Sequence, residues 1–268
     1  MTTTTTTPAR STARAMLNKV PQVTLLFWVI KIMATTVGET AADFLATNLN
    51  LGLTATTFIM AALLGAALVV QFRVRRYIPW IYWLSIVLIS VVGTLITDNL
   101  VDNFGVSLWT TTAIFSVAMF TAFGVWYGIE KTLSIHTIDT TKREAFYWTA
   151  ILFAFALGTA AGDLIAEKIS LGYWKSALLF GAMIALVAAG RFVLKMNATL
   201  AFWIAYVLTR PLGASIGDYL SQAKKDGGLG LGTTGTSIIF LVVILGLVGW
   251  FTNEQNRQDR EPSELLAA

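Results

Sequence analysis

The chain has 268 residues, of which 56% are hydrophobic and only 13% charged, with a formal net charge of +4 and a mean hydropathy of +0.68. A soluble domain carries about 25% charged residues, and one water-soluble core of this size cannot hide so much apolar surface, so a soluble fold is excluded. The basic residues lie in short loops between apolar runs, which argues against nucleic acid as a partner, and the absence of cysteine excludes disulfides and thiolate metal sites.

Residues 1–8 are nearly all threonine and predict, with the rest of 1–21, a disordered tail; no apolar h-region of a signal peptide occurs in 1–22. Crossing a hydrocarbon core takes about 20 mostly apolar residues. Eight stretches qualify, at 23–48, 51–72, 80–101, 106–128, 146–168, 171–194, 200–221 and 230–251. Several of the external connections are very short, which predicts that the consecutive spans they join form antiparallel hairpins. Residues 253–268 are polar and mixed in charge, and predict a second disordered tail. The expected domain organisation is one transmembrane unit over 22–252.

Lysine and arginine set the direction of the spans. One side of the membrane receives Arg10, Arg14, Lys19, Arg73, Arg75, Arg76, Lys131, Lys142, Arg143, Arg191, Lys195, Arg257 and Arg260, against Lys168, Lys175, Lys224 and Lys225 on the other. Lys31 and Arg210 fall inside spans. This bias predicts that both termini are cytoplasmic.

The odd-numbered spans carry one motif four times, [FY]-W-x9-G-x4-D without a gap. Its members are Phe27-Trp28, Gly38 and Asp43; Tyr82-Trp83, Gly93 and Asp98; Tyr147-Trp148, Gly158 and Asp163; and Phe202-Trp203, Gly213 and Asp218. The repeats therefore cover about 22–76, 77–131, 142–196 and 197–252. Each copy holds two spans, so all copies enter the membrane in the same direction, and such parallel repeats are related by an axis along the membrane normal. The expected fold class is an all-α integral membrane bundle of eight helices with pseudo-twofold or pseudo-fourfold symmetry.

The aromatic pair sits at the cytoplasmic start of its span, where Trp and Tyr favour the interface. The four glycines lie in mid-membrane, where a missing side chain lets helices approach closely. The aspartate follows its tryptophan by about 22 Å at 1.5 Å per residue, in the outer part of the span. A helix-end residue that snorkels to water is one reading of it. Four copies at one depth favour the other, since intramembrane acids are costly and mark ion pathways or proton relays.

Residues four apart share a helix face. One turn beyond the aspartates stand Thr47, Asp102, Glu167 and Gln222, and one turn before them Glu39, Thr94, Thr159 and Ala214. The first copy adds Lys31 and Thr35 at the same spacing; Lys31 either neutralises a carboxylate or changes partners during transport. In the fourth copy Arg210-Pro211 precedes Gly213, so the Val207 carbonyl is freed and a kink is expected at Pro211, and Arg210 is a candidate partner for an acid of a neighbouring copy, as clamp or as gate. The even spans open with hydroxyls (Thr54, Thr56 and Thr57; Thr110, Thr111 and Thr112; Ser176; Thr233, Thr234, Thr236 and Ser237), which together with the carboxylates predict an oxygen-lined site. Oxygen ligands suit hard cations. The single histidine, His136, lies in the cytoplasmic loop 131–144, read as a solvated connector.

The segments Gly38-Glu39-Thr40-Ala41-Ala42-Asp43, Gly158-Thr159-Ala160-Ala161-Gly162-Asp163, Ser134-Ile135-His136-Thr137-Ile138 and Arg143-Glu144-Ala145-Phe146-Tyr147-Trp148 resemble a bacterial family of multi-pass proteins. The family is built from a tandem repeat of unknown function and known only as membrane-anchored. The resemblance spans nearly the whole chain between the tails. It implies a bacterial inner-membrane location and the repeat architecture, and no activity.

From the residues, the expected function is a transporter or exporter of a hard cation, with manganese or magnesium favoured. Asp43, Asp98, Asp163 and Asp218 are the expected ligands, with Glu39, Asp102 and Glu167 assisting. Proton exchange fits a set of interacting carboxylates. The alternatives are a cation channel with an acidic ring and a non-transporting scaffold or sensor. No nucleophile–base set or phosphate loop suggests an enzyme. No cofactor is expected beyond the transported cation, and the expected partners are the bilayer, the cation and protons.

Overall fold

A computed structural model describes residues 18–265, with side chains through Glu254. The tail 1–17, including Arg10 and Arg14, lies outside the described residues. Eight α-helices are long and apolar enough to cross a membrane. In chain order they are α1 (Leu25–Asp43), α2 (Leu53–Arg73), α3 (Pro79–Asp98), α4 (Leu108–Glu130), α5 (Thr141–Asp163), α6 (Tyr173–Phe192), α7 (Ala198–Ser221) and α8 (Gly232–Leu265). No strand occurs among the described residues.

Local chemistry sets the starts of the helices. The hydroxyls of Thr24, Ser107 and Thr140 accept from backbone N–H groups in the first turns of α1, α4 and α5, and the Asn197 side chain does so for α7. The Thr140 cap starts α5 at Thr141, ahead of the expected 146. Pro79 occupies the first position of α3, where its missing N–H has no intrahelical partner to lose. At the other end, α8 runs on to Leu265, which corrects the expected disordered tail over 253–265. The stretch Glu254–Gln–Asn–Arg–Gln is rich in good helix formers, and extending an existing helix needs no new nucleus.

α1, α3, α5 and α7 are inner helices and the other four are outer. Between 61% and 72% of the most apolar stretch of each inner helix is buried, against 17% to 22% for the outer ones. The inner helices close a ring, each touching the next in the order α1, α3, α5, α7 and back to α1. The hairpins expected across the external connections are weak: among the outer helices only α8 makes more than marginal contact with the inner helix of its own copy, α7. Instead α2 packs on α3, α4 on α5, α6 on α7 and α8 on α1, so each copy reaches sideways and flanks the next. The short far-end connections make this offset possible. After Asp43, Asp98 and Asp163 the chain widens into π-helical turns at Phe44–Asn48, Asn99–Asn103 and Leu164–Lys168, followed by Gly52, Gly105 and Gly172 at positive φ, a conformation that only glycine adopts without strain. The fourth copy has no π turn, and α7 is continuous through Pro211.

The motif aromatics form a belt inside the bundle, where the sequence predicted interface anchors. Phe27 packs on Trp83, Tyr82 on Trp148, Tyr147 on Trp203 and Phe202 on Trp28, with ring centroids 5.6, 5.6, 6.0 and 5.6 Å apart. Each copy thus offers its first aromatic to the tryptophan of the next, and seven of the eight rings are buried. Connector 131–140 is also more than solvated: Ile135 and Ile138 enter the same core, while His136 is exposed.

The motif glycines do what close approach requires, again copy to next copy. A Cβ on Gly38 would overlap the Ser90 side chain, and one on Gly213 would overlap Thr35. On Gly93 it would lie 2.9 Å from Phe155 Cβ, and on Gly158 2.5 Å from Arg210 Cβ. Ser90, Phe155, Arg210 and Thr35 all stand three residues before their own motif glycine. Every inner helix therefore seats the next helix by the same pair of positions.

Candidate functional site

The ring axis is filled from the termini end outward by residues at steps of four. Above the aromatic belt come Lys31, Ile86, Ile151 and Tyr206, then Thr35, Ser90, Phe155 and Arg210, then Glu39, Thr94, Thr159 and Ala214, and last Asp43, Asp98, Asp163 and Asp218. All but the aspartates are buried throughout, and among the aspartates Asp218 is buried and the other three half-buried.

Arg210 occupies the centre of this column. Its stem lies over Gly158 and its guanidinium donates to Glu39 Oε2 (2.6 Å), Thr159 Oγ1 (2.7 Å), the Thr35 carbonyl (3.2 Å) and Thr94 Oγ1. One arginine from the fourth copy thereby touches the other three. Arg210 pairs with an acid of another copy, Glu39, as the sequence suggested. Pro211 has a packing position beside Gly158 and Gly162.

Lys31 behaves differently. Its ammonium is fully buried and forms no ion pair among the described residues. It donates to Thr209 Oγ1 at 3.1 Å and lies 4.2 and 4.1 Å from the ring centroids of Phe155 and Tyr206, a cation–π seat. Of the two readings that the sequence left open for Lys31, neutralisation of a carboxylate has no ion pair behind it among the described residues. The helix places Lys31 two turns below Glu39, and the Arg210 layer stands between. Thr209, Phe155 and Tyr206 were not singled out from the sequence, although the repeat register puts Phe155 level with Arg210, and Tyr206 level with Lys31.

The acids divide into groups. Carboxylate oxygens of Glu39, Asp163 and Asp218 lie within 4.8 Å of one another. Asp43 and Asp98 stand outside that triad but within Coulombic reach of Glu39, as do all four aspartates. None of the four aspartate side chains receives a hydrogen bond among the described residues. Asp102 and Glu167, on the π turns, are exposed at the far mouth, where Tyr173 Oη donates to Glu167 at 3.3 Å. The structure therefore brings Glu39 together with the aspartates and leaves Asp102 and Glu167 at the rim.

The hydroxyls of the outer helices do not join the carboxylates in one oxygen cage. Thr56 and Thr57 bond back to their own helix. Thr54 donates to Asn99 Oδ1 (3.0 Å), and Asn99 Nδ2 donates to Thr57 Oγ1 (2.6 Å). Ser237 meets Thr40 at 2.7 Å. These contacts fasten the outer helices to the inner ring, and Asn99, which has no counterpart in the other copies, is a polar tie that the motif alone does not reveal.

At the termini end a second buried ion pair, Lys19 Nζ to Glu144 Oε2 at 2.6 Å, joins the segment before α1 to the start of α5. Gln71 Nε2 donates to the other Glu144 oxygen at 3.0 Å. It is remote from the axial column and holds the closed end of the bundle.

Two oxygen-rich features thus lie on one axis: a guanidinium seat at its middle and a carboxylate triad beyond it. Their chemistry suits hard cations and protons. Comparison with known proteins gives a family and no activity. No curated protein and no solved structure matches the chain. The Repeat of Unknown Function (DUF347) matches at residues 26–77, 81–132, 146–196 and 201–255. With four copies that together take up most of its length, the chain belongs to the DUF347 repeat family.

Proposed function

We propose that the chain is an integral membrane transporter or exporter of a hard divalent cation, manganese or magnesium, that exchanges the ion for protons. The carrying observation is the triad of Glu39, Asp163 and Asp218, whose oxygens approach within 4.8 Å. Charge supports the same reading. On the axis five carboxylates face two cationic side chains, Lys31 and Arg210, and an excess of three negative charges in an apolar bundle calls for cations or protons.

In this reading the eight helices cross a bacterial inner membrane as a pseudo-fourfold ring. Large apolar side chains such as Phe58, Phe120, Leu186 and Leu245 are largely exposed on the outer helices, and a bilayer is the solvent that covers them. The bias of basic residues toward the termini end supports cytoplasmic termini, with the carboxylates opening to the outer side. The filled axis argues for a carrier with alternating access over an open channel, because Arg210 and the aromatic belt block any continuous water path. The competing scaffold reading draws on Arg210, whose contacts with three other copies suit a static clamp.

Replacing Asp43, Asp98, Asp163 and Asp218 singly by Asn, and following metal accumulation in cells, tests the proposal. Asp163→Asn and Asp218→Asn are expected to abolish metal-dependent flux, with smaller losses for the other two. Unchanged metal handling in all four variants would leave the scaffold.

A further inference from the structure

We infer that Arg210 is a tethered competitor for the transported ion: its guanidinium and the cation take turns on Glu39, so loading the triad unlocks the axis. The inference rests on the proposed cation site and assigns the residue that gates it. Glu39 belongs to both features. Its Oε2 holds Arg210 at 2.6 Å, and its carboxylate is one of three that converge within 4.8 Å. A dication seated among Glu39, Asp163 and Asp218 would therefore stand close to a fixed positive charge. Either the guanidinium withdraws or the ion binds weakly.

The arginine's surroundings favour withdrawal. Its Nε is enclosed and lacks a hydrogen-bond partner, and so is the hydroxyl of Ser90, which shares its layer. A buried donor left unpaired is costly, so the seat holds the guanidinium incompletely. The stem packs directly on the Gly158 backbone, with no side chain of that residue around it. Three of the four acceptors, Thr94, Thr159 and the Thr35 carbonyl, are neutral, so Glu39 is the one charged group in direct ion-pair contact with the arginine among the described residues. Drawing Glu39 toward an ion removes the main attraction. The layer that Arg210 leaves is the one that separates the aspartates from the buried Lys31, so its departure opens the column at its midpoint.

Competition makes a prediction whose sign differs from that of a clamp or of a ligand-positioning role. The full-length protein, purified in detergent, is titrated with MnCl2 and free Mn(II) is read by its paramagnetic resonance signal. Removing the competitor in Arg210→Gln should tighten Mn(II) binding by roughly tenfold, within the range typical of coupled sites, while Mn(II) flux into proteoliposomes becomes leaky. Arg210→Lys, which keeps the charge but cannot reach all four acceptors, should bind Mn(II) between the two; it decides the matter if the glutamine variant fails to fold. Unchanged or weaker binding in the folded variants would overturn the gate. The triad is judged separately by Asp163→Asn: if that variant loses Mn(II) while Arg210→Gln gains nothing, the site stands and only the gate falls. A wild-type protein that takes up no Mn(II), Mg(II) or other divalent ion overturns both.

Discussion

Lys31 is the residue whose environment least resembles a stable compromise. Its ammonium is out of water entirely, and a single hydroxyl and two aromatic faces replace its hydration. Cation–π contacts return about 2 kcal/mol or more each when desolvated, whereas moving an ammonium from water into a protein interior costs several kcal/mol after relaxation. Methionine has a similar length and an apolar, adaptable stem that suits contact with aromatic rings. Lys31→Met is accordingly expected to raise stability by about 1–2 kcal/mol, read as a higher unfolding midpoint in detergent. Transport by the same variant in proteoliposomes should fall, the usual pattern where an unfavourable residue is kept for function. A less stable variant would mean that the seat satisfies the ammonium better than its visible partners imply. The sequence placed Lys31 on the correct helix face, four residues before Thr35 and eight before Glu39. It gave no sign that the partners would be Phe155 and Tyr206, because those lie on other helices and their relevance follows only from how the copies are rotated about the axis.

The helices themselves were legible for simple reasons. Length and hydropathy locate a membrane span, and the motif fixes the inward face, since the polar positions before and after its aspartate fall on steps of four. Neighbour relations between helices were not legible. Short loops suggested hairpins, but a loop's length limits only how far apart two helix ends lie, and the π turns after Asp43, Asp98 and Asp163 carry the chain sideways. Glycine shows the difference between the two helix classes. On the inner helices a Cβ at Gly93 would come within 3.2 Å of the Ala156 backbone nitrogen, and one at Gly213 within 3.0 Å of the Thr36 nitrogen. Backbone cannot step aside as a flexible side chain can. On the outer helices Gly65, Gly124, Gly181 and Gly246 face open space. Gly93→Ala and Gly213→Ala should each destabilise by about 1–3 kcal/mol through overpacking. Alanine at any of the four outer positions should leave stability unchanged or raise it by up to about 1 kcal/mol, since alanine is the better helix former. Thermal unfolding of the six variants in one detergent checks the contrast, and equal effects in both classes would refute the assignment of inner and outer helices.

At the scale of the whole molecule, the offset packing means that no copy is complete by itself. Each inner helix is covered from outside by the outer helix of the preceding copy, and the last outer helix, α8, covers the first inner helix, α1. That final contact joins segments about 200 residues apart, so it sets the ring's closure and its dependence on the C-terminal half. Thr40 and Ser237 mark it, with their hydroxyl oxygens 2.7 Å apart in a buried position. Because the chain has no cysteine, the pair Thr40→Cys and Ser237→Cys would be the only thiols present, and an oxidised link between them would report ring closure without background. A protease site placed in the connector after α6, at residues 193–197, supplies the readout. If the ring closes as described, oxidation followed by cleavage leaves one full-size band on a non-reducing gel, and reduction splits it into two fragments. Cleavage that yields two fragments even after oxidation would show that α8 does not lie on α1, and the axial column, whose acids and arginine come from all four copies, would lose the closed ring that assembles it.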